Sequence, residues 1–180
     1  MAPRPLKAVL TVAAAAALSL TAVPAQAADP DPLVWTELAK TYGATGLYAY
    51  EPYAVADGFT PTSCVPGVGY RYVNEENVGA TDPETPAALL YEDSPYGRRL
   101  VAVEWTVKAE SGVATPTMFG QTFQDPVGLP DLGSSYTLHA WLYKTNPSGL
   151  FNSTHPDVTC SADQDQDQDL SPDLDLNLGI

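Results

Sequence analysis

Two cysteines in a chain that opens with an export signal place the tightest constraint on what this sequence can fold into. Cys64 and Cys160 are the only cysteines among 180 residues. Residues 1–27 read as a cleavable secretory signal peptide. Arg4 and Lys7 make a positive start, residues 8–23 are an apolar run of Ala, Val and Leu, Pro24 breaks it, and Ala25-Gln26-Ala27 supplies the small residues that a signal peptidase reads. The run is shorter and richer in Ala than the roughly 20 strongly apolar residues of a membrane anchor. It has no cysteine at the cleavage point and no Arg-Arg pair, which disfavours lipoprotein and twin-arginine export. In an oxidising compartment a lone cysteine pair is expected to form one disulfide. In the chain-entropy model a loop of roughly 100 residues is stabilised by up to about 4.7 kcal/mol. No CxxC spacing is present, which disfavours a metal thiolate or a reactive thiol.

Removal of the leader leaves about 150 residues, enough for one domain with its own core. Of the 8 Lys and Arg, Arg4 and Lys7 leave with the leader, so six basic residues face 22 acidic ones and the formal charge becomes −16. That charge repels nucleic acid and anionic lipid and favours cationic partners or metal ions; the partners expected are a small molecule or a cation. No later stretch is apolar enough for stable membrane insertion.

The domain organisation follows from pattern changes. Residues 28–32 form a polar linker, 33–162 a single globular domain, and 163–180 an acidic tail. Leu33, Leu38, Ala39 and Tyr42 fall on one helix face, with Gly43 as a stop. Residues 48–57 suit a second short helix, with Pro52 in its first turn and Gly58 after its end. Residues 61–69 read as loop around Cys64. Strand patterns follow at 68–74, 87–91, 99–107 and 136–144, with a turn at 94–97 that makes the middle two a hairpin, and a short edge segment at 117–120. The fold class expected is α+β: two short N-terminal helices, a small antiparallel β-sheet and one disulfide. The Asp-Gln alternation from Asp163 to Asp169, with Asp173 and Asp175, predicts a disordered tail. It is a poor calcium loop, because Gln168 and Leu174 stand where Gly and Glu are needed.

Side chains alternate between the two faces of a strand. Thr137, His139, Trp141 and Tyr143 therefore share one face of the last strand. On the earlier strand, Leu100, Ala102, Glu104 and Thr106 oppose Arg99, Val101, Val103, Trp105 and Val107. If Glu104 pairs on the side of His139, a carboxylate and an imidazole meet, with Tyr70, Arg71 or Tyr72 completing the cluster. Such a set suits a metal, an acid/base pair or a satisfied core histidine. His155, before Pro156 in a loop, is expected at the surface, beside the acceptor-like triplet Asn152-Ser153-Thr154. Glu75-Glu76 and Glu92-Asp93 are expected to be solvated loop acids. No GxSxG, HExxH, phosphate-loop or GxGxxG motif occurs.

Residues 64–74 (CVPGVGYRYVN), 86–92 (PAALLYE), 99–105 (RLVAVEW), 116–123 (PTMFGQTF), 138–151 (LHAWLYKTNPSGLF) and 156–160 (PDVTC) resemble a family of secreted bacterial proteins without an assigned activity. The resemblance runs from about residue 38 to residue 160 and implies no catalytic residues. It implies His at the position of Arg71, and Asn-Pro where His155-Pro156 stands. A His at 71 with Glu104 and His139 would resemble a two-His-one-carboxylate metal set. Arg71 instead puts a permanent cation there, suited to a salt bridge with Glu104.

Three readings follow. The first is a secreted, disulfide-linked α+β domain of binding or structural type, with Tyr70, Arg71, Glu104, His139 and Trp141 lining a small-ligand or weak metal pocket. The second is an extracellular enzyme using His139 and Glu104 as acid and base. The third is a structural or interaction protein in which the cluster is a core network. No residue pattern names a cofactor or an oligomeric state.

Overall fold

The computed structural model describes residues 31–161. The leader, most of the linker and the acidic tail assigned above lie outside the described residues. Asp31 caps the first helix, its Oδ1 accepting from the Leu33 amide at 2.8 Å, and Pro32 sets the first turn. Helix α1, Pro32–Thr45, runs straight through Gly43. A glycine inside a helix costs about 1 kcal/mol against alanine, and here Thr41 and Thr45 are buried on either side of it. The Thr45 hydroxyl donates to Thr41 O at 2.7 Å and lies 2.8 Å from the Tyr143 hydroxyl, so the turn is anchored. The second expected helix divides in two. A single 3-10 turn, Gly46–Ala49, precedes a six-residue helix, α2, Glu51–Ala56. Among the described residues only one helix is seven or more residues long, and the sheet dominates.

Six antiparallel strands form a curled half-barrel in the order β1-β2-β3-β4-β8-β7. They are β1 (Thr60–Val65), β2 (Gly69–Val73), β3 (Ala88–Ser94), β4 (Gly97–Lys108), β7 (Gln124–Leu129) and β8 (Gly133–Ala140). A separate pair, β5 (Thr117–Met118) and β6 (Gln121–Thr122), accounts for the expected edge segment. Both outer strands escape a sequence reading, for one physical reason. Each carries a proline, Pro61 or Pro126, and each has a register shift. Proline and bulges are how an exposed edge is made a poor template for further pairing.

β2 opens on Gly69, just past the turn from β1, with a φ of +88°. A Cβ built there would stand 2.2 Å from the Tyr91 carbonyl oxygen, so only glycine fits. β8 stops at Ala140 rather than at 144, because the Trp141 amide turns away to donate to Leu150 O at 2.9 Å.

The two faces of the sheet are unlike. One joins Tyr70, Tyr72, Leu89, Tyr91, Val103, Trp105 and Leu138 to Leu38 of α1 and Ala54 of α2. Tyr91 Oη donates to Tyr48 O at 2.7 Å and Tyr72 Oη to Glu51 Oε1 at 2.9 Å, tying the helical layer down. The other face carries a smaller apolar cluster of Val68, Leu90, Val101, Ala102, Trp141 and Val158. Leu90 pairs with Ala102 but Tyr91 pairs with Leu100, so Val101 is an extra residue in β4. This bulge corrects the simple parity: Leu100 joins Val103 and Trp105 in the main core, while Val101 goes to the other side. Cys64 and Cys160 are bonded, fastening edge strand β1 to the end of the described chain.

Candidate functional site

Glu104 of β4 lies directly opposite His139 of β8. Arg71 reaches Glu104 from β2, across β3. The residue on β3 that pairs with Glu104 is Ala88, whose methyl leaves the guanidinium room. Arg71 Nε donates to Glu104 Oε2 at 2.8 Å, and the Thr106 hydroxyl donates to Oε1 at 2.9 Å. His139 Nε2 lies 2.7 Å from Glu104 Oε2. The approach is close but off-axis: neither ring nitrogen has an aligned hydrogen bond, and Nδ1 has no partner among the described residues. Glu104 is 0% exposed, His139 2% and Arg71 9%. Burial alone raises the Glu104 carboxyl, but the His139 ring and the Arg71 guanidinium outweigh it and bring it down to about 2.

Of the five residues expected to share a pocket, three meet in this cluster. Tyr70 sits on the opposite face, in the main core. Its hydroxyl donates to Asp93 Oδ2 at 3.0 Å and its ring lies under Arg98, 3.3 Å from guanidinium carbon to ring centroid. The alternation that puts Arg71 on one face requires Tyr70 and Tyr72 to be on the other. Trp141, past the end of β8, packs in the smaller cluster and donates its indole N–H to Asn152 O at 2.7 Å.

Two expectations about loops are overturned. His155 is 1% exposed, not at the surface. Its Nε2 lies 3.0 Å from Thr145 O, its Nδ1 accepts from the Asp157 amide at 3.0 Å, and its ring stands edge-on to Trp141. That pattern places the ring proton on Nε2. Glu92 and Asp93 are on β3, not in a loop. Glu92 is buried and paired with Arg99 and with Lys144 Nζ, the latter at 2.6 Å. Burial raises its carboxyl, and Lys144 and Arg99 lower it by more. Single-residue pattern could not find either group, since both depend on chain segments far apart in sequence.

Two of the clefts among the described residues bear on the site. The larger, about 610 Å³, lies between the start of β1 and the β7–β8 turn. Asp57, Glu75, Glu76 and Asp131 line it, with Val73 and Leu132, and no basic side chain does. The smaller, about 320 Å³, is bounded by α1 and the segment after β8 and includes Trp141. Arg71, Glu104 and His139 line neither. Among the described residues no group of three or more His, Cys, Asp or Glu is placed to hold a metal ion, and no helix is long and apolar enough to cross a membrane. The chain matches no protein-family model, no curated protein and no solved structure.

Proposed function

We propose that this is an exported binding domain, in which Arg71, Glu104 and His139 form a structural pin and the ligand binds elsewhere on the surface. One observation carries the reading: Glu104 is fully buried and has both oxygens engaged by neighbours from three strands. A general acid or base needs access to substrate and a proton affinity near the working pH. A carboxyl brought down to about 2 and sealed between strands has neither. The metal alternative is disfavoured because the Arg71 guanidinium already occupies the cationic place beside the carboxylate. Export is supported by the leader pattern and by the disulfide, and the resemblance to secreted bacterial proteins points the same way.

The test is His139→Ala and Glu104→Gln in the secreted chain. Both variants are expected to unfold at lower urea while leaving ligand-induced thermal shifts as in wild type. A hydrolytic turnover shown by wild type and abolished in folded His139→Ala would overturn the reading. The N-terminal sequence of the exported product is expected to begin at Ala28; retention of the protein inside the cell with its leader intact would remove export.

A further inference from the structure

We propose that the smaller cleft, between α1 and the segment following β8, is a binding site for a neutral saccharide. This rests on the reading of the domain as a binding module and names its ligand class. At about 320 Å³ the cleft is at the lower end of the range for small-molecule sites. Three aromatic rings, Trp35, Trp141 and Tyr143, line it. Trp35 is 47% exposed. Tyr143 stacks on Tyr42 with ring centroids 5.1 Å apart, and Tyr42 is 55% exposed, so the aromatic surface continues beyond the rim.

The walls are held in place before any ligand arrives. The Tyr143 hydroxyl is fixed by Thr45 at 2.8 Å and the Trp141 indole by Asn152 O. Asn146 is clamped from both ends, its Nδ2 donating to Thr154 O at 2.9 Å and its Oδ1 accepting from the Ser148 amide at 2.9 Å. Fixed walls lower the ordering cost of binding.

Charge and hydrogen-bonding capacity select the ligand. Lys144 is the one Lys, Arg, Asp or Glu lining the cleft, and its ammonium is paired with Glu92 at 2.6 Å. An anion therefore meets no uncompensated cation in a strongly acidic protein, and a cation meets no carboxylate in the lining. Polar capacity is nevertheless present. The Lys144 ammonium has three N–H groups and uses two, on Glu92 and on Asp157 O. The exposed Thr145 hydroxyl makes no hydrogen bond to the described residues. A wholly apolar ligand would strip water from these groups and leave them unsatisfied. A sugar ring has an apolar face to lie on an aromatic wall and a hydroxyl edge for the lysine and threonine.

The experiment titrates the full secreted chain with maltotriose, cellotriose and tri-N-acetylchitotriose, following tryptophan fluorescence. Trp35 and Trp141 line the cleft, the first 47% and the second 2% exposed, whereas the third tryptophan, Trp105, is 0% exposed and lines neither cleft. A saturable change with at least one neutral trisaccharide is expected, weakened about tenfold in Trp35→Ala and less in Thr145→Ala. Trp35 is 47% exposed, so the urea-unfolding midpoint of Trp35→Ala is expected to match wild type. No saturable change with any of the three at millimolar concentration would overturn the proposal. So would an undiminished response in Trp35→Ala, or saturation by trigalacturonate or a chitosan trimer alone. These failures leave the structural pin untouched, whereas turnover lost in His139→Ala would sink the binding reading without altering the titration.

Discussion

His139 and His155 are both buried, at 2% and 1% exposure, yet the chain holds them by opposite means. His139 projects from a strand onto a neighbouring carboxylate, and its surroundings are built entirely from the register of β2, β3, β4 and β8. His155 belongs to a strap, residues 141–161, with no helix or strand of its own. The strap is stitched by backbone: the His155 amide donates to Gly67 O at 2.8 Å, and the Gly67 amide donates to Val158 O at 2.8 Å. The disulfide closes its far end. A regular ladder lets charged groups be buried because geometry is repeated and reliable. An irregular segment is secured instead by many separate links, each of modest strength.

The comparison can be broken by experiments of decreasing size. Glu104→Ala leaves the Arg71 guanidinium buried without its counter-charge and is expected to cost about 3–5 kcal/mol in urea unfolding. A loss below about 1 kcal/mol would show that the cluster is not a pin. Removing the disulfide with Cys64→Ala and Cys160→Ala together is expected to cost about 2–5 kcal/mol. Hydrogen exchange is expected to show the strap opening before β2 and β3 lose protection; simultaneous opening would make the two regions one unit. Gly69→Ala, which forces a Cβ onto Tyr91 O at a positive φ, is expected to cost about 2 kcal/mol or more. His155→Ala strands the Asp157 amide and Thr145 carbonyl and is expected to cost about 1–3 kcal/mol.

Acid sharpens the contrast last. Because the folded Glu104 carboxyl lies near 2, below its ordinary 4.5, its stabilisation is fully present above about pH 4.5 and is lost as pH falls towards about 2. Glu92 is lowered too and contributes in the same direction. The urea midpoint is therefore expected to fall through this window in wild type, and to fall less in Glu104→Gln. Equal slopes would deny Glu104 its special environment.

Much of the sheet-borne region is legible in the sequence, and little of the strap is. The meeting of Glu104 with His139 follows from two-residue alternation on two strongly patterned strands. Separating Tyr70 from Arg71 follows from the same rule. Alternation fails at Val101, where one inserted residue moves Leu100 across the sheet. The edge strands are hidden because Pro61 and Pro126 satisfy an edge's need to resist pairing while erasing the strand signal. Burial of His155 has no local signature at all, since its partners are backbone atoms and the Trp141 ring. Helix α1 outruns Gly43 because tertiary anchoring by Thr45 and Tyr143 outweighs a weak propensity.

Strand order carries a consequence for how the chain folds. β1 to β4 form one run of successive neighbours and β7 and β8 another, and only the β4–β8 pairing joins distant parts of the sheet. Closing that longer loop carries a larger entropic cost than forming the local hairpins. Glu104 and His139 sit on the seam where the two meanders meet. A slip of one residue there would turn His139 to the apolar side and leave Glu104 charged against the wrong neighbour. The same three side chains thus make the native register of the β4–β8 pairing the one in which the buried charges are matched.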